Sequence, residues 1–319
     1  MRDAPAGVLV VGSLNMDLVI KTPRIPAPGE TVMGGDVAEI CGGKGANQAA
    51  AAGSLSLAPK VARMIGRVGD DAFGRRMTAA LAQRGVDTSL VIPTNGVPSG
   101  AALIVVDDHG QNAIVVSAGA NGRLTPGDIT PCAAAFGASA VLLLQLETPL
   151  ETVTAALACG REHGLLVILD PAPVPGGGLP DDLYGVDILT PNQSEAAALT
   201  GVPVDGAAGA CRAGTALLAR GVRTVVIKLG QLGAAIVSGA AGQTEMTLAP
   251  GFKVEVADTT AAGDTFNGAL GVALAEGRPL RDAVRFANAA GALACTRFGA
   301  GASIPSRAEV DRLLARPEG

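Results

Sequence analysis

Tryptophan is absent from this chain of 319 residues, tyrosine occurs once and histidine twice. So few rings leave little on which the bases of a nucleic acid would stack. The net charge of −5 and the lack of any long basic run also remove the electrostatic footprint of a nucleic-acid binder. His109 sits in the turn-like string Asp107-Asp108-His109-Gly110 and His163 near a helix end before Gly164, which leaves no basis for a His-based triad or a His-rich metal centre. The five cysteines, Cys41, Cys132, Cys159, Cys211 and Cys295, are odd in number, widely spaced and without a CxxC pair. That pattern fits small thiols in a reducing compartment, neither a disulfide framework nor a zinc site. The longest apolar runs, Val8–Val11, Val141–Leu144 and Leu165–Leu169, are strand-sized and far short of a membrane span. No basic n-region, apolar h-region and cleavage site open the sequence, so a cytoplasmic location and no membrane partner are expected. Chemistry is left to carboxylates, lysine, asparagine and backbone amides.

What is present is apolar: 48% hydrophobic against 17% charged residues, the balance of a globular protein. Val8–Gly12 reads as a buried strand ending in glycine, and Asp17–Lys21, Thr31–Ile40, Gly100–Val106 and Asn112–Ser117 as half-exposed strands. Further on, Val141–Leu146, Leu165–Leu169, Val186–Leu189 and Thr224–Leu229 are continuous Val/Ile/Leu runs, with helices such as Leu150–Glu162 and Ala207–Arg220 between most of them. That alternation predicts βαβ units and a mostly parallel sheet covered on both faces. The last third is helical over Gly263–Glu276, Pro279–Thr296 and Ser306–Arg316. With no internal repeat and no low-complexity linker, one α/β domain spans 1–319. Two insertions, near 15–40 and 96–118, are expected to build a small β lid, or else an ordinary antiparallel edge of the main sheet.

Asp258-Thr259-Thr260-Ala261-Ala262-Gly263-Asp264-Thr265-Phe266-Asn267-Gly268 is the most informative stretch. Small residues Ala261, Ala262 and Gly263 let the backbone turn closely before a helix whose first amides lack internal partners and whose dipole favours negative charge. Such a terminus suits a phosphate in transfer. Asp264, in the same turn, is placed to accept a proton from an attacking alcohol; the plainer alternative is that it caps the helix. Cys41-Gly42-Gly43-Lys44-Gly45-Ala46-Asn47-Gln48 is a second glycine-rich turn leading into an Ala-rich helix. It is neither a P-loop nor a dinucleotide fingerprint. Its glycines permit close backbone approach, and Lys44 and Asn47 have the donors to bond hydroxyls, although a Gly-rich turn with a solvated lysine reads the same way. Asn15 and Asp17, at i and i+2 of an extended segment, face one side and suit adjacent hydroxyls, or form an Asx turn. Glu147 follows a predicted parallel strand, where α/β ligands bind. Asn192 also follows one and, with Glu195, either caps the next helix as a capping box or stands near phosphates and a hydrated Mg²⁺.

Five of these strings together identify a resemblance. Gly12-Ser13-Leu14-Asn15-Met16-Asp17, Gly42–Gln48, Gln145-Leu146-Glu147, Thr190–Glu195 and Asp258–Gly268 resemble the ribokinase-like family of carbohydrate and nucleoside kinases, from Val10 to about Pro305. The Asp258–Gly268 string is the most specific, and Gly42–Gln48 with the Asn15/Asp17 pair favours the ribose-phosphorylating branch over fructose or adenosine kinases. The resemblance implies a three-layer α/β/α sandwich with a mostly parallel sheet and a β-sheet lid. It implies transfer of phosphate from ATP to the 5-hydroxyl of D-ribose, with 2-deoxyribose or another sugar as an alternative and a non-catalytic sugar binder as a remoter one. It assigns Asp264 as general base and Ala261, Ala262, Gly263 and Asp264 as the anion hole. Asn15, Asp17, Gly43, Lys44, Gly45, Asn47 and Glu147 would contact the sugar. Asn192, Glu195, Lys228, Gly230, Gly233, Gly263 and Asn288 would line the ATP site, with Mg²⁺. A monovalent cation, usually K⁺, would lie by Asp258, Thr260, Ala294, Arg297, Gly299 and Ser303. A homodimer through the lid is also implied. Lys228 departs from the family, many of whose members carry Thr there; it would contact phosphates or point to solvent.

Overall fold

Val8 and Val10 pack into one apolar cluster and Leu9 and Val11 into another, and all four are fully buried. An extended chain turns successive side chains to opposite faces, so a strand without polar positions must lie inside a sheet covered on both sides. In the computed structural model, which describes residues 7–58, 61–240 and 243–316, that strand is central. The strands are β1 (Gly7–Val11), β2 (Asn15–Thr22), β3 (Val37–Gly42), β4 (Ala62–Gly69), β5 (Val86–Thr94), β6 (Gly100–Asp107), β7 (Asn112–Ser117), β8 (Ser139–Leu144), β9 (Leu166–Leu169), β10 (Ile188–Leu189), β11 (Thr224–Lys228), β12 (Ala234–Ala240) and β13 (Gln243–Ala249). The helices are α1 (Lys44–Leu55), α2 (Ala72–Gln83), α3 (Pro126–Ile129), α4 (Ala133–Gly137), α5 (Leu150–Glu162), α6 (Gln193–Thr200), α7 (Ala207–Ala219), α8 (Ala262–Ala275), α9 (Leu280–Ala294), α10 (Ala300–Ser303) and α11 (Arg307–Leu314).

Nine strands form one sheet in the order β13-β12-β11-β10-β9-β8-β1-β4-β5. Its pairs are parallel from β5 through β11 and antiparallel at β11–β12 and β12–β13. Helices α1, α8, α9 and α11 cover one face with the first cluster, and α5, α6 and α7 cover the other. The three layers and the parallel centre are as expected.

The lid is a separate sheet of four strands, β3-β2-β6-β7, and not an edge of the main one. Its edge strand β7 exposes all six residues, and Val115 is 66% accessible.

Several boundaries move for local reasons. Thr31–Asp36 has no regular structure; the strand begins only at Val37, after the Gly34-Gly35 pair. The expected strand Val186–Leu189 shrinks to Ile188–Leu189, because the Asp187 carboxylate itself accepts the Val167 N–H at 2.8 Å. Strands β4 and β5, the hairpin β12–β13 and helix α2 carry no clear signal: Arg63 and Arg67 interrupt β4, and β13 alternates polar residues with only a few apolar ones.

Small residues set the approach of α1 and α8. A Cβ at Gly268 would stand 2.6 Å from both Ala51 Cβ and the Gln48 carbonyl oxygen. Glycine there, facing the alanines of α1, lets two helices pass closely enough for their side chains to meet one turn away.

Candidate active site

The parallel strands deliver polar groups to one edge. Gly12–Asn15 follows β1, Gln145–Glu147 follows β8, Asp170 follows β9, Asn192 lies just past β10 and Lys228 ends β11. That carboxyl edge is where α/β sheets bind ligands. A cavity of about 810 Å³ opens there, lined among others by Lys44, Asp170, Asn192, Glu195, Lys228, Ala261–Asp264 and Asn288.

Helix α8 points its N-terminus into this cavity. Ala261, immediately before it, holds φ 58° and ψ 9°, the one non-glycine residue with positive φ among those described. An alanine in that conformation costs about 1–2 kcal/mol, and strain of this kind collects where function needs the backbone in one place. The Ala262 amide already donates to the Thr259 carbonyl at 3.2 Å. The amides of Ala261, Gly263 and Asp264 are left without a backbone partner among the described residues, so of the expected anion cradle only the Ala262 amide is already engaged.

Asp264 does not cap the helix. Its carboxylate turns to α1, where Oδ2 accepts Asn47 Nδ2 at 3.0 Å and Oδ1 accepts Gln48 Nε2 at 3.2 Å. Burial pushes its pKa up to about 6; Asp170 adds to that, while Lys44 and the bonds from Asn47 and Gln48 oppose it. A carboxylate so placed is ionised at neutral pH and basic enough to take a proton from a bound alcohol.

The expected sugar ligands form one side of this site, and they hold one another. Glu147 Oε2 accepts from Ser13 Oγ at 2.5 Å, from the Lys44 amide at 3.1 Å and from Asn15 Nδ2 at 3.4 Å. Asn15 Oδ1 accepts from Asn121 Nδ2 at 2.8 Å. Asp17 lies over Gly42, where a Cβ would come within 2.3 Å of its Oδ2. Burial, Glu147 and Asp264 together push its pKa up to about 7. Gly43 has φ 91°, and a Cβ on it would meet the Asn15 amide at 2.7 Å. Gly45 is closely packed: a Cβ on it would lie 2.6 Å from the Ser13 amide. Burial works to lower the Lys44 ammonium, but Asp264, Asp170, Glu147 and Glu195 outweigh it and hold the group above the usual lysine range.

The opposite side is built differently. Asn192 and Glu195 do make a capping box at the start of α6, with the Asn192 amide donating to Glu195 Oε2 at 2.7 Å. Both nevertheless line the cavity. Burial and Asp170 raise the Glu195 carboxyl against the pull of Lys228, the Asn192 amide and Lys44. Asn288 Nδ2 donates to the Ala249 and Pro250 carbonyls at 3.0 and 3.2 Å, bracing the loop that carries Gly251 and Phe252 to the cavity wall. Gly230 and Gly233 bound the turn after β11, and Gly233, at φ 91°, sits so close to the Ala249 carbonyl that a Cβ would come within 2.2 Å. Lys228 neither points to solvent nor stands alone: its Nζ bonds Asp170 Oδ1 at 2.9 Å, with the two side chains 15% and 3% exposed.

Asp258, Thr260, Gly299 and Ser303 lie outside the cavity lining, the first three in two loops joined by one carboxylate and Ser303 at the end of α10. Asp258 Oδ1 accepts the Thr260 amide and hydroxyl at 2.9 and 2.7 Å, and Oδ2 accepts the Gly299 amide at 3.0 Å. Burial opposes ionisation of Asp258, but these bonds and the Thr259 amide hold it below the ordinary carboxylate range. Ala294 ends α9, and the Arg297 guanidinium pairs with Glu309.

Sequence reasoning missed Asp170, the side-chain role of Gln48, Asn121, and the wall of Phe252, Val254 and Val256. Asp170 follows a buried strand as Glu147 does, so the same rule finds it. Asn121 carries no local signal; tertiary packing alone brings it to Leu14 and Asn15.

A family model described as pfkB family carbohydrate kinase matches residues 6–307. The ribokinase of Haemophilus influenzae is 40% identical over 306 residues, covering 96% of this chain and 97% of that protein. The deoxyribokinase of Salmonella typhi is 33% identical over 311 residues, covering 98% and 99%. Among solved structures, the ribokinase of Arabidopsis thaliana in complex with ribose and ATP superposes with a TM-score of 0.87 at 34% identity, over 98% of this chain and 99% of that one.

Proposed function

This chain belongs to the pfkB family of carbohydrate kinases, and from that premise we propose that it phosphorylates D-ribose at the 5-hydroxyl with ATP. Its fold is the ribokinase-like three-layer sandwich with a lid sheet, and its activity is that of a sugar kinase. The observation that carries the reading is Asp264. It is a buried carboxylate at the free amides of α8, held by α1 donors, between a wall of interlocked polar side chains and a wall of glycines and loop backbone.

Glu147, Asn15, Asp17 and Lys44, with Gly43 and Asn47, orient the sugar. The 5-oxygen attacks the terminal phosphorus in line; the new O–P bond forms as the bond to the bridging oxygen breaks, and the hydroxyl proton passes to Asp264. ADP leaves with the electron pair of the broken bond. Charge on the transferring group is met by the Gly263 and Asp264 amides and the α8 dipole. The geometry aligns both reactants before the chemistry, a contribution of several kcal/mol in general.

Among the described residues no group of three or more His, Cys, Asp or Glu has the arrangement of a protein-only metal site. That suits Mg²⁺ arriving on the nucleotide, since this ion keeps its waters and takes few protein ligands. Asn192 and Glu195, facing the cavity with a raised carboxyl, would hold it through water. It would neutralise phosphate charge. A monovalent cation such as K⁺ would lie by Asp258, Thr260, Ala294, Arg297, Gly299 and Ser303, where the Asp258 carboxylate joins the Thr260 and Gly299 loops, and would steady the loop leading into α8. We assign the whole chain to one working unit, placed in the cytoplasm; among the described residues no helix is long and apolar enough to cross a membrane. The exposed apolar residues of the lid, Leu103, Val115 and Val116 among them, support a homodimer through that sheet.

ADP release with MgATP and K⁺, measured across D-ribose, 2-deoxy-D-ribose, D-fructose and adenosine, tests the proposal. Ribose should turn over best, and removal of K⁺ should lower the rate. A preference for 2-deoxyribose, the substrate that the name of the Salmonella relative suggests, would leave Asp264 in its role and overturn the assignment of Asn15 and Asp17 to vicinal hydroxyls. No turnover of any sugar would overturn the kinase reading.

A further inference from the structure

Lys228 carries a half-buried ammonium at the cavity wall, with donors to spare. An ammonium carries three donors and no acceptor, and the one hydrogen bond from Nζ among the described residues goes to Asp170 Oδ1. Lys228 lines the cavity, so its other donors are open to a ligand there. The position is fixed twice over by the backbone: the Lys228 amide donates to the Pro191 carbonyl at 2.9 Å, and Lys228 bridges to Asn192 in parallel register. The side chain then reaches the N-terminus of α8, since a Cβ at Gly263 would stand 3.5 Å from Nζ. Its counter-charge is shared. Asp170 Oδ2 accepts from Gln48 Nε2 at 3.2 Å, and the same Gln48 nitrogen reaches Asp264 Oδ1. Gln48 is itself clamped, its Oε1 accepting from Gln145 Nε2 at 2.6 Å.

We propose that Lys228 contacts the terminal phosphate of the triphosphate donor beside the Gly263 amide, and that Asp170 is the positioning residue that aims it. The proposal rests on the kinase reading and adds to it a cation specific to the group being transferred. Asp170 keeps one donor of the ammonium and leaves the others for phosphate oxygens, so the cation stays in place whether or not nucleotide is bound. The rival account makes Lys228 only the neutraliser of a buried aspartate.

Binding without turnover separates the two. Calorimetry would use Mg²⁺ with the β,γ-imido analogue of ATP and, in parallel, Mg²⁺ with ADP. The proteins are the wild type, Lys228→Met, Lys228→Arg and the charge-balanced double variant Lys228→Met with Asp170→Asn. The expected result is at least tenfold weaker analogue binding by Lys228→Met, ADP binding changed less than threefold, and recovery of most of the loss by Lys228→Arg. The double variant should remain as defective as Lys228→Met. Recovery of analogue affinity in the double variant, or equal loss for analogue and ADP, would overturn the contact and leave the neutraliser. Because the double variant restores charge balance, it also guards against a Lys228→Met chain that fails to fold. Wild-type turnover of ribose is measured separately: its absence would remove the kinase reading, whereas the analogue-to-ADP comparison judges Lys228 by itself.

Discussion

Beside the cavity, among the residues proposed to hold the sugar, the polar side chains are bonded to one another before any ligand arrives. Glu147 alone gathers Ser13, Asn15 and the Lys44 amide, and Asn121 clamps Asn15 from behind. Along the side proposed for the nucleotide, the cavity is walled by glycines, by Phe252, Val254 and Val256, and by residues such as Asn192 and Asn288 that brace their own loops. The first wall is preorganised for directional recognition of a small polyol, in which each hydroxyl needs a partner in a fixed place. The second offers shape and backbone, suited to a flat ring and a charged tail whose ends are read at only a few points. Asp264 stands at the join, held from the sugar side and opening on the other.

Removing the group at the join should have the largest effect. Asp264→Asn keeps the shape and loses the base, so kcat is expected to fall by roughly 10²–10⁴-fold, the usual worth of a general base. Ribose affinity by calorimetry should change only a few-fold. A variant with full kcat would separate Asp264 from the proton transfer. In the wild type, kcat should decline as pH falls through about 6, because a raised carboxyl takes up its proton there and a protonated Asp264 accepts none.

The walls themselves are separated by a pair of variants. Glu147→Gln breaks a charged acceptor shared by three donors. At about 1.5–3 kcal/mol for bonds to a charged group, it should raise KM for ribose by roughly 10–100-fold and leave KM for ATP nearly unchanged. Asn288→Ala, which removes two bonds to loop carbonyls, should do the converse and more weakly, with KM for ATP up by a few-fold. If both variants moved both constants alike, the contrast between the walls would not hold.

The smallest expected effect concerns Asp17. Its carboxyl is pushed up to about 7, so near neutral pH it is partly protonated in the free protein. Hydroxyls donating to it favour the charged form and lower that pKa. Ribose binding should therefore release about half a proton at pH 7 and almost none at pH 8.5, and affinity should weaken as pH falls below 7. Calorimetry in buffers of different ionisation enthalpy measures the release; proton uptake would mean that Asp17 binds as a neutral acid.

Much of the architecture was legible locally. Continuous Val/Ile/Leu runs alternating with helical segments gave the central strands and α5, α7, α8 and α9 within a residue or two of their ends, because fully buried parallel strands have no polar positions to disguise them. The second sheet was legible as two pairs of half-exposed strands joined by polar or Gly/Pro turns. Strand β4 was not, since Arg63 and Arg67 break its run while their long side chains reach out to Asp87 and Asp128.

The sequence by itself determined that the chain would build a layered α/β sheet, and that Asp264 would sit at the start of a helix with small residues before it. It also placed carboxylates and amides after successive strands. These are properties of a few neighbouring residues, governed by backbone sterics and by the period of apolar side chains. Only the tertiary structure decided which groups face each other. Asp264 turns from its helix terminus to Asn47 and Gln48 because Gly268 lets α8 close on α1. Asp170 meets Lys228 because β9 and β11 end at one edge with β10 between them. Charges, pKa values and hydrogen-bond partners depend on distances across the sheet, and those distances exist only once the strands have paired.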